Sequence, residues 1–143
     1  IKWKVALEGR GSATPIVWDK QIFLVTAVKT DRIAKASELP KVDPKFQTKT
    51  EPPINFYRFE VISFDRETGK QLWKQIATEA VPHEGHHATH SYAAGSPTTD
   101  GERLYVSFGS FGIYAFDLTG KQLWKRDLGR LNTPSGFLKL RTQ

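Results

Sequence analysis

The hexapeptide Gly69-Lys70-Gln71-Leu72-Trp73-Lys74 recurs unchanged as Gly120-Lys121-Gln122-Leu123-Trp124-Lys125. The match extends backwards: Val61-Ile62-Ser63-Phe64-Asp65 answers Gly112-Ile113-Tyr114-Ala115-Phe116-Asp117, and each Phe-Asp pair leads through a short turn to Thr-Gly-Lys. The second of these turns is one residue shorter. Upstream, Ser12-Ala13-Thr14-Pro15 followed by Gln21-Ile22-Phe23-Leu24-Val25 parallels Ala94-Gly95-Ser96-Pro97 followed by Arg103-Leu104-Tyr105-Val106. Trp3-Lys4 looks like the close of a further unit, because Trp-Lys closes the other two. A chain that repeats itself at about 40–50 residues is built from stacked modules that bury their faces against one another.

Each unit reads as four short strands. In the second, a strand near 92–98 meets the turn signal Asp100-Gly101. Arg103–Gly109 follows, Ser110-Phe111-Gly112 reverses the chain, and Ile113–Asp117 and Lys121–Asp127 complete the set. These segments carry β-branched and aromatic residues and alternate in period two. Asp65 and Asp117 are placed to accept amide hydrogens of the turns that follow them, and Gly69 and Gly120 to supply the positive φ of the reversal. Trp73 and Trp124 fall at equivalent places on fourth strands, where a large flat ring packs into a neighbouring module. The expectation is an all-β fold of β-propeller blades, each a four-stranded antiparallel sheet. Residues 1–11 read as the last strand (Lys2–Leu7) of a preceding blade. Residues 12–78 form a first full blade with an inserted loop at 30–55, and 79–129 a second full blade. The tail 130–143 is left over, or begins another. Closed rings carry about four to eight blades, so this is a partial propeller.

The segment from Ser63 to Trp73, SFDRETGKQLW, resembles the tryptophan-docking motif A-x-D-x-x-T-G-x-x-x-W of the PQQ-like (pyrroloquinoline-quinone-like) β-propeller repeat family. Serine stands in place of the first alanine, and Ala115–Trp124 matches with one residue deleted before Thr119. In that motif Asp65, Gly69, Trp73, Asp117, Gly120 and Trp124 are structural. The resemblance implies two function classes. The first is a non-catalytic interaction scaffold of the bacterial cell envelope, periplasmic or extracellular, similar to the propeller lipoprotein of the outer-membrane barrel assembly machinery. The alternative is a piece of a quinoprotein dehydrogenase, which holds PQQ with calcium on the ring axis. The cysteine pair of that second class has no counterpart, since the chain contains no cysteine. No nucleophile elbow, phosphate loop or catalytic carboxylate pair is present either. The scaffold reading therefore expects no cofactor and no enzymatic activity.

Composition narrows the partners. The chain has 21 Lys and Arg against 15 Asp and Glu, a net charge of +6 and a pI near 9.6. These cations are interleaved with acids, as in KTDRIAKASELPKVDPK at 29–45, without a like-charge run or a nucleic-acid module, so nucleic acid is not the expected partner. No stretch approaches the roughly 18 apolar residues of a membrane-spanning helix. The absence of any methionine in the 143 residues, with ends that cut across blades, reads as a piece of a longer propeller. Copies that close a ring through their open blade faces are the other possibility.

Two features break the repeat. The insertion 30–55 is polar and proline-rich, with one helical turn expected at Ile33–Glu38, and loops of this length usually carry function. The segment Glu79–Ser91 holds all four histidines, His83, His86, His87 and His90. Connections between second and third strands, and between one blade and the next, emerge on the same rim of a propeller. The two features are therefore expected to share one face and to receive a protein partner there. The histidines are spaced as one helical face would be, which suits zinc, nickel or copper with Glu84 as an oxygen ligand. Gly85 interrupts the set, however, and the other reading is a loop that packs and hydrogen-bonds at the rim.

Overall fold

The computed structural model describes residues 1–41 and 50–129. Eight strands build two sheets: β1 Ile16–Trp18, β2 Gln21–Ile33, β3 Asn55–Asp65 and β4 Gln71–Ala80, then β5 Thr98–Thr99, β6 Arg103–Ser107, β7 Ile113–Asp117 and β8 Gln122–Arg126. Each sheet is antiparallel and ordered as the chain runs, β1-β2-β3-β4 and β5-β6-β7-β8. That up-and-down meander is the propeller blade, and the partial propeller expected from the repeat is what the chain forms. Among the described residues there is no α-helix, only a 3₁₀ turn at Gly109–Phe111.

The repeated motif produces the same register twice. Ser63 pairs with Trp73 and Phe64 with Gln71; Ala115 pairs with Trp124 and Phe116 with Gln122. In each case the leucine between Gln and Trp is the extra residue of a β-bulge, and Leu72 and Leu123 stay 46% and 42% exposed. The residue opposite each tryptophan is small and fully buried, which leaves room for the ring. Serine at 63 adds a contact that alanine lacks, for Ser63 Oγ accepts from Gln21 Nε2 at 3.0 Å.

The core lies between the sheets. Phe23, Val25, Ala27, Phe59 and Val61 of the first face Leu104, Val106, Phe108, Tyr114 and Phe116 of the second, with Ala93 between them. Burial of this aromatic set supplies the main attraction between the blades, at about 25 cal/mol per Å² of apolar surface removed from water.

Several expected boundaries shift. The strand near 92–98 shrinks to Thr98–Thr99, because the Ala93 carbonyl is taken by the amides of Ser12 and Ala13 (3.1 and 3.2 Å) instead of a strand partner. β2 runs through Thr30 to Ile33, so the insertion starts at 34. β4 runs to Ala80, so Glu79 and Ala80 pair with Arg58 and Tyr57 of the first sheet. The helical turn expected at Ile33–Glu38 is a single hydrogen-bonded turn, Glu38 N–H to Lys35 O at 2.8 Å. Residues Lys2–Leu7, expected as a strand, pair with no strand among the described residues. The tail 130–143, and residues 42–49 of the insertion, lie outside the described residues.

Candidate functional site

The two Asp-Thr-Gly turns are where the blades meet. The Asp65 carboxylate accepts from the amides of Glu67 (2.9 Å) and Thr68 (2.7 Å) and from the Thr68 hydroxyl (2.9 Å). Asp117 accepts from Thr119 N–H, Thr119 Oγ1 and Lys121 N–H at 2.7–2.9 Å. These donors hold both carboxyls below the usual carboxylate range, through the Thr68 amide first in Asp65 and the Thr119 hydroxyl first in Asp117. The turn so fixed presents one carbonyl, that of the residue after the aspartate. Trp73 Nε1 donates to Leu118 O at 3.0 Å, and Trp3 Nε1 to Arg66 O at 2.9 Å. The glycine beneath each ring is obligatory: at Gly69 (φ +73°) and Gly120 (φ +93°) a methyl would lie 2.6 Å from the indole of Trp3 or Trp73. Trp73 is also flanked by Phe23 (5.9 Å) and Phe116 (6.3 Å). Trp124 has Tyr105 at 6.0 Å and stays 44% exposed.

The departures from the repeat gather at the opposite rim. β2, β3 and β4 rise several residues beyond β6, β7 and β8, and the base of the insertion is zipped by Thr30 Oγ1 to Phe56 O (2.9 Å), Asn55 Nδ2 to Thr30 O (3.1 Å) and Ala34 N–H to Ile54 O (2.8 Å). Arg32 lies 3.6 Å from the centre of the Phe56 ring and reaches Glu38 (2.6 Å) and Glu79 (3.7 Å). The Lys35 amide, and then Arg32, lower the titration of Glu38. The histidine loop packs directly on the insertion. At Gly85 a methyl would lie 2.5 Å from the Glu51 carbonyl oxygen and 2.7 Å from Thr50. The insertion and the histidine loop therefore touch on one rim.

The four histidines part company there. His83 stacks on Phe111 (4.6 Å, 26°) and His86 stands edge-on to Tyr92 (4.6 Å, 84°). His86 Nδ1 donates to the His87 carbonyl at 2.7 Å, while His87 Nδ1 meets the Thr89 hydroxyl at 2.8 Å. Only His87 and His90 stay near each other, at 6.3 Å between rings. Among the described residues no three His, Cys, Asp or Glu side chains come together as a metal-ligand set. The backbone here is a series of bends rather than a helix, so the helical spacing does not become a common face.

Two concavities open on this rim. A cleft of about 310 Å³ is walled by Phe59, Phe108, Phe111, Pro82, His83 and Tyr92. A second, of about 220 Å³, is lined by Gly9, Arg10, Ala27, Lys29, Tyr57, His86, Ser91 and Tyr92. Burial pushes the phenols of Tyr57 and Tyr92 up, so both remain protonated donors at neutral pH. The sequence reading marks His83 and His86 but misses Arg10, Lys29, Tyr57, Tyr92 and Phe111, which come from separate segments. It also passes over Glu60, which is 1% exposed and sits between Arg58 (3.2 Å) and Lys74 (3.6 Å), on the side covered by Val5–Glu8.

In comparison with known families, the family model described as outer membrane protein assembly factor BamB matches residues 58–136, more than half of the chain. No curated protein matches it.

Proposed function

The chain belongs to the PQQ-like repeat family of the outer membrane protein assembly factor BamB, and from that premise we propose that it is a non-catalytic β-propeller module that holds a protein partner on the rim formed by 30–55 and 79–91. The observation that carries this reading is the contact of Gly85 with Thr50 and Glu51. It joins the two departures from the repeat into one surface with an aromatic cleft beside it, and such loops on a rigid scaffold are where recognition concentrates. The Asp-Thr-Gly turns at the other rim serve blade packing. The proposed setting is the bacterial cell envelope, periplasmic or extracellular, in line with the outer-membrane role in the family's description. No helix of the described residues is long and apolar enough to cross a membrane.

The alternative is a piece of a quinoprotein dehydrogenase holding PQQ with calcium on the ring axis, and dye reduction with both added distinguishes it from the scaffold reading.

Site-specific photo-crosslinking tests the proposal in cells of the source organism. Probes at Glu51 and Glu84, both exposed on the rim, are expected to form adducts with one protein. Probes at Lys20 and Glu102, on the opposite rim, are expected to form none. Adducts from the opposite rim alone, or dye reduction by the chain with added PQQ and calcium, would overturn it.

A further inference from the structure

We propose that the rim recognises an extended acidic–aromatic peptide segment, whose carboxylate enters the cavity of Arg10 and Lys29 while an aromatic side chain two residues away enters the neighbouring cleft of Phe59 and Phe111. This rests on the rim reading above and deepens it.

The cavity is assembled by strand register. Arg10 bridges Ala27, and Lys29 follows Ala27 by two residues, so the two cations lie on one face in a diagonal relation. Lys29 pairs with Tyr57, Tyr57 meets Tyr92 edge-to-face at 4.9 Å, and Tyr92 meets His86. No acidic residue lines it. Among the described residues neither Arg10 nor Lys29 forms an ion pair, and neither tyrosine hydroxyl is hydrogen-bonded. His86 spends its Nδ1 proton on the His87 carbonyl. The groups that remain are two cations and two phenol hydroxyls, a set with no anionic partner of its own. A carboxylate supplies one, with charge-assisted hydrogen bonds. Glu84 lines the other cleft, which shares Tyr92 with this one.

The second half of the ligand follows from the shared wall. Tyr92 lines both concavities, and the step from Tyr57 to Phe59 along β3 leads from one to the other. Those residues are two apart on the same face of a strand, about 6.6–6.8 Å. A bound extended peptide has the same repeat, so residues i and i+2 span the two openings. The aromatic cleft, with Glu84 in its wall, disfavours a carboxylate but takes an aromatic ring against Phe59 and Phe111, where ring–ring contacts add to burial.

The test uses a fluorescein-labelled peptide containing Phe-Ser-Asp in a Gly-Ser background, with Phe-Ser-Asn and Ala-Ser-Asp as controls, titrated to millimolar concentration. The Phe-Ser-Asp peptide is expected to bind about tenfold more tightly than either control, with affinity falling as salt rises. Arg10 and Lys29 are exposed, so R10A/K29A keeps the fold, and it is expected to bring the Asp peptide down to the level of the Asn peptide. Equal binding of Asp and Asn peptides to the wild type, retained discrimination in R10A/K29A, or no binding of any peptide would overturn the proposal. Crosslinks from Glu51 and Glu84 in those cases keep the rim as a partner surface of another chemistry, whereas crosslinks from Lys20 and Glu102 alone remove the rim reading itself.

Discussion

Trp73 and Trp124 occupy the same place in the same hexapeptide, face the same kind of small buried residue, and follow the same bulge, yet only one is packed. Trp73 lies between Phe23 and Phe116 and donates to the Leu118 carbonyl, whereas Trp124 keeps 44% of its surface in solvent. The difference lies outside the motif. Trp73 has the Asp117–Gly120 turn of the next sheet beneath it, and Trp3 in turn uses the Asp65–Gly69 turn. Local sequence shapes the strand, the bulge and the turn; a neighbouring blade decides whether the ring is buried.

Truncation separates the two most sharply. Trp73→Ala is expected to cost about 3 kcal/mol, near the lower end for a packed tryptophan, because Gln21 still satisfies the Leu118 carbonyl. Trp124→Ala is expected to cost less than about 0.5 kcal/mol, as surface changes do. Urea midpoints compare them, and equal losses would break the distinction. Gly120→Ala probes the same contact from below and is expected to cost about 2–3 kcal/mol, from a strained positive φ together with overpacking against Trp73. Gly129→Ala shares the positive φ, but nothing lies within 4 Å of the added methyl, so it should cost about 1 kcal/mol and isolate the strain.

A pH series tests the turns. Asp65 and Asp117 titrate below their unfolded value, and Asp100 is held down to about 2 by the Tyr105 hydroxyl first and then by the amides of Arg103 and Glu102. A depressed folded value stabilises the charged form. The contribution is therefore complete above the unfolded value of about 3.9 and is lost as pH falls toward about 2. Wild type is expected to lose more stability across that window than Asp100→Asn, read as the shift in urea midpoint; parallel losses would mean that the turn does not depend on the charge. The smallest effect is expected at the bulge leucines. Leu72→Thr and Leu123→Thr should each change stability by no more than about 0.5 kcal/mol, since both side chains are already in solvent.

The scaffold was legible because a repeat states each rule twice. The Phe-Asp turn, the obligatory glycine and the strand order all follow from short-range spacing. The rim was legible only as a location. Asp31 and Arg32 read as loop, yet they continue β2, because Arg32 is stabilised by Phe56, Glu38 and Glu79 from residues six to forty-seven positions away. The helical spacing of the histidines carried no information in a bent loop, where each ring answers to whatever aromatic or hydroxyl group lies nearest. The basic cavity draws Arg10, Lys29, Tyr57, His86 and Tyr92 from four separate stretches, and no one of those stretches has a motif. The lone positions of the first full-blade strands gain meaning only once register sets them side by side.

Hydrogen exchange of the four indole N–H groups, followed by NMR on the tryptophan-labelled chain, tests the central comparison most directly. Trp73 and Trp3, bonded to Leu118 and Arg66, are expected to exchange slowly, with Trp73 slowest because its ring is also packed between Phe23 and Phe116. Trp124 is expected to exchange close to the rate of free indole. A Trp73 proton that exchanges as fast as that of Trp124 would contradict the account.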